Sequence, residues 1–387
     1  MTPGCLPVIL AAYTNTNTRR NKMAEQTSQN RTVNSEEAKR AILRCFKRQR
    51  PLFLWGPPGI GKSELIESIA NELDGYMIDM RMATCDPTDI RGVPFYNKET
   101  GTMNWAPPIE LPTQELCDQY SVVILFLDEL NSAPPAVQSA CYQLILNRRV
   151  GTYRLPSNVV LVAAGNRESD KGVSYRMPTP LANRFVHLEM RVDFESWHTW
   201  AVANRIHKDV VGFISFAKNS LYDFDPKSSS RAFATPRSWT FVSQLLDDGE
   251  SDSTLTDLVA GSVGEGMAVK FMAHRKLAGS LPNPIDILEG RVTEIPAPEL
   301  SAQYSLVTAL CYELADAHVA LKGDKTGKWH TMADNYFTFM MTQFTKEITI
   351  MGARVALKKY ELPIQPNKMK CFDRFHKDFG KYLLGSN

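Results

Sequence analysis

The stretch Pro51–Ser63 reads PLFLWGPPGIGKS and contains the spacing Gly-x-x-x-x-Gly-Lys-Ser. An apolar run precedes Gly56, and a segment with helical periodicity, ELIESIANEL, follows Ser63. A strand, a glycine-rich turn and a helix in this order form the context that a phosphate-binding loop requires. Glycines let successive backbone N–H groups point into one concavity, which suits an anion at a helix N-terminus. The stretch therefore predicts a site for a nucleoside triphosphate.

Individual residues of this loop have separate predicted tasks. We expect the ammonium of Lys62 to reach the β- and γ-phosphates and the hydroxyl of Ser63 to ligate Mg²⁺. ATP and Mg²⁺ are therefore the predicted ligands. The residues expected to surround the phosphates are Gly56, Pro57, Pro58, Gly59, Ile60, Gly61, Lys62, Ser63 and Glu64.

The composition is that of a folded protein without a strong overall charge. A chain of 387 residues, 43% of them hydrophobic, is long enough for two or three domains. The net charge of +2 gives no reason to expect nucleic acid as a partner. The seven cysteines are dispersed, which is typical of reduced thiols in a cytoplasmic protein. No apolar run approaches the roughly 20 residues of a membrane span.

The N-terminal residues 1–32 are predicted to be a disordered leader, because they are rich in Thr, Asn and Gln. Their short apolar stretch has no basic residue before it, whereas a secretory signal begins with a positively charged region. Whether translation starts at Met1 or at Met23 stays open.

Buried strands alternate with helices from residue 33 to residue 192. Continuously apolar runs such as SVVILFL are typical of parallel strands covered on both faces. This alternation predicts an α/β three-layer domain with a central parallel five-stranded sheet and with nucleotide at the carboxyl ends of its strands. The predicted strands are 52–55, 76–80, 121–127, 159–164 and 185–189.

The pattern becomes helical after residue 193. Helical periodicity continues through 194–220, 237–247, 254–279 and 304–321. A Pro-rich stretch, Leu281–Pro298, separates a predicted helical domain over 193–282 from a predicted C-terminal helical extension over 283–387.

An irregular insertion occupies residues 86–108. Within it, VPFYNKETGTMNW is predicted to be a hairpin, with turn residues between two arms that carry aromatic side chains. Phe95, Tyr96 and Trp105 are therefore expected on an inserted loop.

Polar residues follow two of the buried strands. Asp128 and Glu129 end one strand, and we expect Asp128 to hold the Mg²⁺ shell while Glu129 orients or deprotonates the attacking water. The alternative is a strand end capped by solvated acids. Asn166 ends another strand, where its amide could bind the water or the γ-phosphate.

Two arginines complete the predicted site. Arg184 follows a short helix, from which it could project into the site of a neighbouring subunit; a surface salt bridge is the alternative. Arg237 lies at a helix start fixed by Pro236, and it could contact the γ-phosphate from the second domain.

The segments GPPGIGKS, VVILFLDELNSAPPAVQSA, VVLVAAGN, LANRF and TPRSW, in this order, resemble the AAA+ superfamily over residues 33–245. The DELN segment and the insertion resemble the MoxR branch, with its CbbQ, NirQ and NorQ relatives. By this resemblance Gly56–Ser63 is Walker A, Asp128 and Glu129 form Walker B, and Asn166 is sensor 1. Arg184 matches the trans-acting arginine finger, and Arg237 matches sensor 2.

The resemblance also implies an assembly and partners. Members of this branch form hexameric rings that remodel or activate partner proteins, often alongside a von Willebrand A-domain protein. Residues 86–108 resemble the helix-2 insert, which faces the ring pore, and residues 193–282 match the helical lid. Two departures stand out: Arg167 replaces the usual proline after sensor 1, as a second trans arginine or a structural ion pair, and Asn183 replaces an aspartate.

We therefore expect a Mg²⁺-dependent, ATP-hydrolysing ring ATPase of MoxR type that remodels or activates a partner protein. A nucleic-acid motor is the first alternative, with slight support from Arg148, Arg149 and Lys98. A chelatase-like motor for metal insertion is the second alternative. A nucleotide-gated scaffold is disfavoured because Glu129 is present.

Overall fold

The computed structural model describes residues 32–170, 175–247, 253–296, 298–321 and 326–384. The predicted leader lies outside these residues except for Thr32. The chain divides into two compact units, and the residues of the phosphate loop group with the second. In the described ranges, no helix has the length and apolar character needed to cross a membrane. The first unit contains 32–56, 63–168 and 175–191, and the second contains 57–62, 169–170 and 192–384.

The described ranges contain ten strands and sixteen α-helices. The strands are β1 Thr32–Val33, β2 Leu52–Trp55, β3 Tyr76–Arg81, β4 Val93–Asn97, β5 Thr102–Ala106, β6 Val123–Asp128, β7 Arg149–Val150, β8 Tyr153–Arg154, β9 Val159–Gly165 and β10 Val186–Met190. The helices are α1 Ser35–Lys47, α2 Lys62–Glu72, α3 Pro87–Arg91, α4 Gln114–Cys117, α5 Pro135–Asn147, α6 Thr179–Ala182, α7 Phe194–Ala203, α8 Lys208–Phe216, α9 Pro236–Asp247, α10 Ser253–Val263, α11 Glu265–Ala278, α12 Pro284–Leu288, α13 Leu300–Ala320, α14 Lys328–Gln343, α15 Lys346–Arg354 and α16 Phe372–Leu384.

The first unit is built around a parallel sheet with the strand order β1-β10-β2-β9-β6-β3. This arrangement confirms the predicted P-loop α/β fold, but the predicted number of five strands was wrong. The sixth strand is β1, whose two residues pair with Glu189 and Met190 of β10. A two-residue strand is too short to show a periodic pattern, so β1 could not be predicted from the sequence.

The interior strands of this sheet are apolar on both faces. Every residue of β9 is buried, as are all residues of β6 except its last, Asp128. Neighbouring strands run parallel, so their carboxyl ends meet at one edge of the sheet. Asp128, Gly165 and Trp55 therefore end three adjacent strands at this edge.

Local signals set the helix and hairpin boundaries of the first unit. Asn34 accepts a hydrogen bond from the backbone N–H of Glu37, and the Glu37 carboxylate accepts one from the N–H of Asn34. This reciprocal capping box starts α1. The predicted hairpin is also confirmed, because β4 and β5 pair antiparallel around a turn in which Asn97 accepts backbone N–H groups.

The second unit is helical and contains two hydrophobic clusters. One includes Trp197, Trp239 and Phe271, and the other includes Leu310 and Tyr336. Helices α8 and α13 approach closely at one point, since a Cβ added to Gly212 would lie 2.9 Å from Ser305 Oγ. The boundary between a lid and a C-terminal extension near residue 283 stays a prediction.

Candidate nucleotide site

The glycine-rich loop adopts a backbone that depends on two of its glycines. Gly59 and Gly61 have φ angles of 73° and 89°, in the left-handed region that side chains disfavour. At Gly59 space is also limiting, because an added Cβ would lie 2.7 Å from Thr235 Oγ1. The spacing of the glycines in the sequence therefore reflects a backbone requirement at both positions.

Side-chain and backbone contacts hold this loop within the second unit. Lys62 is buried, and its ammonium donates a hydrogen bond to the carbonyl of Pro57 at 3.0 Å. The backbone N–H of Arg237 donates to the carbonyl of Gly59 at 3.2 Å. Pro236 is the first residue of α9, as predicted, and the side chain of Arg237 is exposed. The structure thus brings the start of α9 to the phosphate loop.

Two oxygen ligands suited to Mg²⁺ meet in the first unit. The Ser63 hydroxyl, at the start of α2, donates a hydrogen bond to Asp128 Oδ2 at 3.2 Å. The other carboxylate oxygen, Oδ1, accepts the backbone N–H of Glu129 at 2.9 Å. Hydroxyl and carboxylate oxygens are the donors that Mg²⁺ prefers, so these residues fit the metal.

Glu129 has an unusual backbone conformation. Its φ and ψ of 54° and 33° lie in the left-handed helical region, which costs a residue with a side chain about 1 kcal/mol or more. The residues of the next turn, Leu130 and Asn131, are buried and fix the direction of the chain. Strain held in this way is frequent at functional sites.

A third carboxylate, that of Asp79, lies near this pair and was missed by the sequence reasoning. Asp79 pairs with Phe126 on the adjacent strand. Burial raises the pKa of Asp79, and the charges of Asp128 and Glu129 raise it further. Its only signal was a single acid within the apolar segment YMIDM. The charge of Arg81 opposes this increase and lowers the pKa of Asp79 in part.

Asn166 lies directly after β9, next to the start of the phosphate loop. The backbone N–H of Gly56 donates to the carbonyl of Gly165 at 3.2 Å. The carbonyl of Asn166 itself accepts a hydrogen bond from Nδ2 of Asn131 at 2.8 Å. Asn131 is a second residue that the sequence reasoning missed, because its contact spans 35 residues of chain.

Arg167 forms an ion pair within its own chain. Its Nη1 lies 3.3 Å from Oε1 of Glu189, near the end of β10. Of the two alternatives that the sequence left open, the structure shows the ion pair.

Arg184 lies just beyond α6 with an exposed side chain. No ion pair of its guanidinium group is present among the described residues, so the alternative of a surface salt bridge has no support there. His187 anchors the segment that precedes Arg184 in the chain. Its Nδ1 accepts a hydrogen bond from the indole N–H of Trp55 at 2.9 Å. The neutral ring then carries its proton on Nε2, which donates to the carbonyl of Ala182 at 2.8 Å.

Arg148, one of the residues that supported a nucleic-acid motor, has a structural role. Its Nη2 donates to the carbonyls of Pro156 and Val159 at 2.9 and 2.7 Å. Burial lowers the pKa of this guanidinium group. The side chain is therefore occupied with backbone carbonyls, and the support for nucleic-acid binding weakens.

The aromatic residues of the hairpin are exposed but do not share one face. Exposed fractions are 47% for Phe95, 61% for Tyr96 and 39% for Trp105. The strand register places Tyr96 opposite Met103, on the same face as Trp105, whereas Phe95 lies on the other face. Met103, which is 60% exposed, joins this surface and was not predicted from the sequence.

Comparison with known proteins gives matches over the region of this site. The model of the family described as "ATPase family associated with various cellular activities (AAA)" matches residues 52–187. An "AAA ATPase forming ring-shaped complexes" from Micrococcus luteus is 22% identical over 292 residues, covering 68% of this chain and 48% of that protein. The chain thus spans about half the length of this relative.

Further matches differ in identity and in the share of the chain that they cover. Midasin from Giardia intestinalis is 26% identical over 172 residues, which make up 42% of this chain and 3% of midasin. The RuvB Holliday junction branch migration motor of Thermotoga maritima is 16% identical, with a TM-score of 0.36 and coverage of 79% of this chain and 86% of that one. A TM-score at this level supports no conclusion about activity.

The family match begins at the strand before the phosphate loop and ends within β10. It therefore includes Ser63, Asp128, Glu129, Asn166 and Arg184, which the sequence singled out. A phosphate loop followed by a parallel sheet of this order is the nucleotide-binding fold of the matched family. Residues 52–187 are thus similar to the AAA family of ATPases, and the phosphate loop and parallel sheet of this region form a P-loop AAA+ fold.

Proposed function

We propose that the chain is a Mg²⁺-dependent AAA+ ATPase of MoxR type that hydrolyses ATP in a ring, expected to be a hexamer, and remodels or activates a partner protein. The observation that carries the hydrolytic part is the contact between Ser63 Oγ and Asp128 Oδ2, with Glu129 next in the chain. Two metal ligands and a carboxylate for water activation are thereby adjacent.

Each residue of the loop has a role in this proposal. The N–H groups of the loop and the ammonium of Lys62 bind the phosphates, while Ser63 and Asp128 would hold Mg²⁺. When bound, Mg²⁺ would neutralise negative charge on the phosphates. The remaining residues proposed to line the phosphates are Gly56, Pro57, Pro58, Gly59, Ile60, Gly61 and Glu64.

Glu129 and Asn166 act on the water in this proposal. The Glu129 carboxylate orients or deprotonates the attacking water, since it follows the metal ligand directly. The Asn166 amide binds that water or the γ-phosphate. Arg237 contacts the γ-phosphate from the start of α9, and its backbone bond to the loop supports this assignment.

Assembly into a ring is supported by Arg184 and by a relative. The exposed guanidinium group is available to a neighbouring subunit, and the Micrococcus luteus relative is described as forming ring-shaped complexes. A protein client is supported by the exposed apolar side chains of the hairpin, which suit a protein surface. A von Willebrand A-domain partner and a cytoplasmic location complete the proposal by family resemblance.

The test measures the ATPase rate of the full chain against protein concentration, with particle size followed by light scattering. We expect the rate per chain to rise with concentration. Arg184→Ala should lower kcat about 1,000-fold while ATP binding is retained. Arg44→Ala removes another exposed arginine, on α1, and serves as the matched control. A flat rate per chain with an unaffected Arg184→Ala variant would leave a monomeric nucleotide switch as the better account.

A further inference from the structure

We infer that Asn131 is a positioning residue that holds Asn166 in place for ATP hydrolysis. This inference rests on the proposed function. Asn131 lies in the turn after β6, two residues beyond Glu129, and is 2% exposed. Because its side chain is almost entirely buried, we expect any effect on the reaction to pass through its neighbours.

Three segments of the first unit meet at Asn131. Its Nδ2 donates to the carbonyl of Asn166 at 2.8 Å. Its own carbonyl accepts the backbone N–H of Tyr175 at 2.7 Å, in the segment that leads to α6. One side chain and one carbonyl thus connect the turn after Asp128 to the end of β9 and to the chain before Arg184.

The amide of Asn131 also packs directly against Gly165. A Cβ added to Gly165 would lie 2.1 Å from Asn131 Oδ1 and 2.8 Å from its Cγ. The carbonyl of Gly165 in turn accepts the N–H of Gly56, the first glycine of the loop. Asn131 therefore fixes the position of the carboxyl end of β9 relative to β6. It thereby also fixes the backbone position of Asn166, which directly follows β9.

The side-chain oxygen of Asn131, Oδ1, indicates why an asparagine occupies this position. Its Oδ1 is buried and has no hydrogen-bond partner among the described residues. A buried unsatisfied acceptor lowers stability, so a contribution to stability is a poor explanation for an amide here. Rotating the amide by 180° would place Oδ1 against the Asn166 carbonyl, where two acceptors repel. The single bond to Asn166 is what the side chain supplies.

A control residue with the same chemistry lies nearby. Gln138 on α5 is fully buried, and its Nε2 donates to the carbonyl of Ala133 at 3.0 Å. Its Oε1 also lacks a partner among the described residues. Gln138→Ala therefore removes a buried amide with the same number of bonds, but this amide has no contact with Asn166.

The first measurement is hydrogen–deuterium exchange of the full chain without nucleotide, which does not depend on hydrolysis. Asn131→Ala should increase exchange in the peptide that covers residues 159–168, while Gln138→Ala should leave this peptide unchanged. Equal exchange in the wild type and Asn131→Ala would overturn the positioning role, whether or not the protein is an ATPase. Loss of ATPase activity in Glu129→Gln tests the proposed function separately.

The second measurement is steady-state ATP hydrolysis. Asn131→Ala should lower kcat about 10- to 100-fold with little change in KM, because a displaced catalytic group slows the chemical step. The double variant Asn131→Ala with Asn166→Ala should be no slower than Asn166→Ala alone. Additive losses, or an equal loss in Gln138→Ala, would show that Asn131 acts only through general stability. A wild type without activity would overturn the link to hydrolysis.

Discussion

At Glu129 the backbone takes a conformation that residues with a side chain seldom adopt. The residue could escape this strain only if the turn after it moved, and that turn is held by buried Leu130 and by the bonds of Asn131. The direction of the carboxylate proposed to activate water thus depends on a backbone conformation that costs free energy.

Asp79 gives a pH-dependent prediction at the same scale. Burial and two neighbouring carboxylates raise its pKa above the ordinary value of 3.8. The native state therefore binds this proton more tightly than the unfolded chain does. The resulting stabilisation is complete below the ordinary pKa and is lost as the pH rises through the raised folded-state pKa. Above the raised pKa, the ionised carboxylate lowers the stability of the fold.

Asp79→Asn should therefore increase the free energy of unfolding at pH 7, and the gain should shrink towards pH 4. Urea unfolding with a metal chelator present, at several pH values, measures this difference. Glu99→Gln, on the exposed hairpin turn, controls for the loss of one charge. A variant less stable than the wild type at pH 7 would contradict the interpretation.

Among the structural elements, β9 shows how closely the strands of the site are packed at their carboxyl ends. Gly165, its last residue, has side chains on two sides: a Cβ there would lie 2.1 Å from Asn131 Oδ1 and 2.9 Å from Phe53 Cζ. Both neighbours are buried and cannot move without displacing others. The last position of β9 therefore has room for glycine but not for a residue with a side chain.

Gly165→Ala should destabilise the protein by about 1–3 kcal/mol, the usual cost of overpacking a core. The midpoint of thermal or urea unfolding measures the loss. Gly266→Ala, on α11, is the control, because no atom lies within 4 Å of its added Cβ and alanine favours a helix. The idea fails if both variants are equally stable.

Several elements of the fold were predictable from the sequence, as was the position of Asp128 and Asn166 at the carboxyl ends of two strands. Local sequence patterns indicate several elements that the structure contains. These are the apolar strands β6 and β9, the capping box at Asn34 and the hairpin turn. Residues whose role depends on distant partners were not predictable. The bond of Asn131 to Asn166 and the position of Asp79 near Asp128 arise only when strands far apart in sequence become neighbours.

Register and length explain the other differences. The face on which a hairpin side chain lies depends on the strand register. Phe95 and Tyr96 therefore lie on opposite faces although they are adjacent in sequence. The sequence suggests a surface cation at Arg148, whereas in the structure its guanidinium group donates hydrogen bonds to two backbone carbonyls. A strand as short as β1 leaves no pattern at all.

For the whole molecule, a ring with shared sites makes a prediction about mixtures. Arg184→Ala removes the arginine that a chain offers to its neighbour, and Glu129→Gln removes the water-activating group of its own site. Each variant alone should be inactive. In a mixed ring, an Arg184→Ala chain beside a Glu129→Gln chain forms a complete site at their shared interface.

Mixing the two inactive variants in equal amounts should therefore restore about a quarter of the wild-type rate, because random assembly completes one interface in four. The ATPase rate is measured after the chains have exchanged, and a mixture of Arg184→Ala with Arg184→Ala/Glu129→Gln serves as the control. Persistent inactivity of the first mixture in assembled rings would rule out shared sites.

The hydrogen bonds of His187 carry a genetic consequence. This ring joins Trp55, the residue before the phosphate loop, to Ala182, in the helix that leads to Arg184. In the proposed ring a lesion at His187 would disturb the site of its own chain and the arginine that the chain lends to the next. One altered allele would then impair two of the adjacent sites wherever its product is incorporated. Substitutions at His187 should accordingly be dominant over the wild-type allele, whereas those confined to one pocket should be milder in a heterozygote.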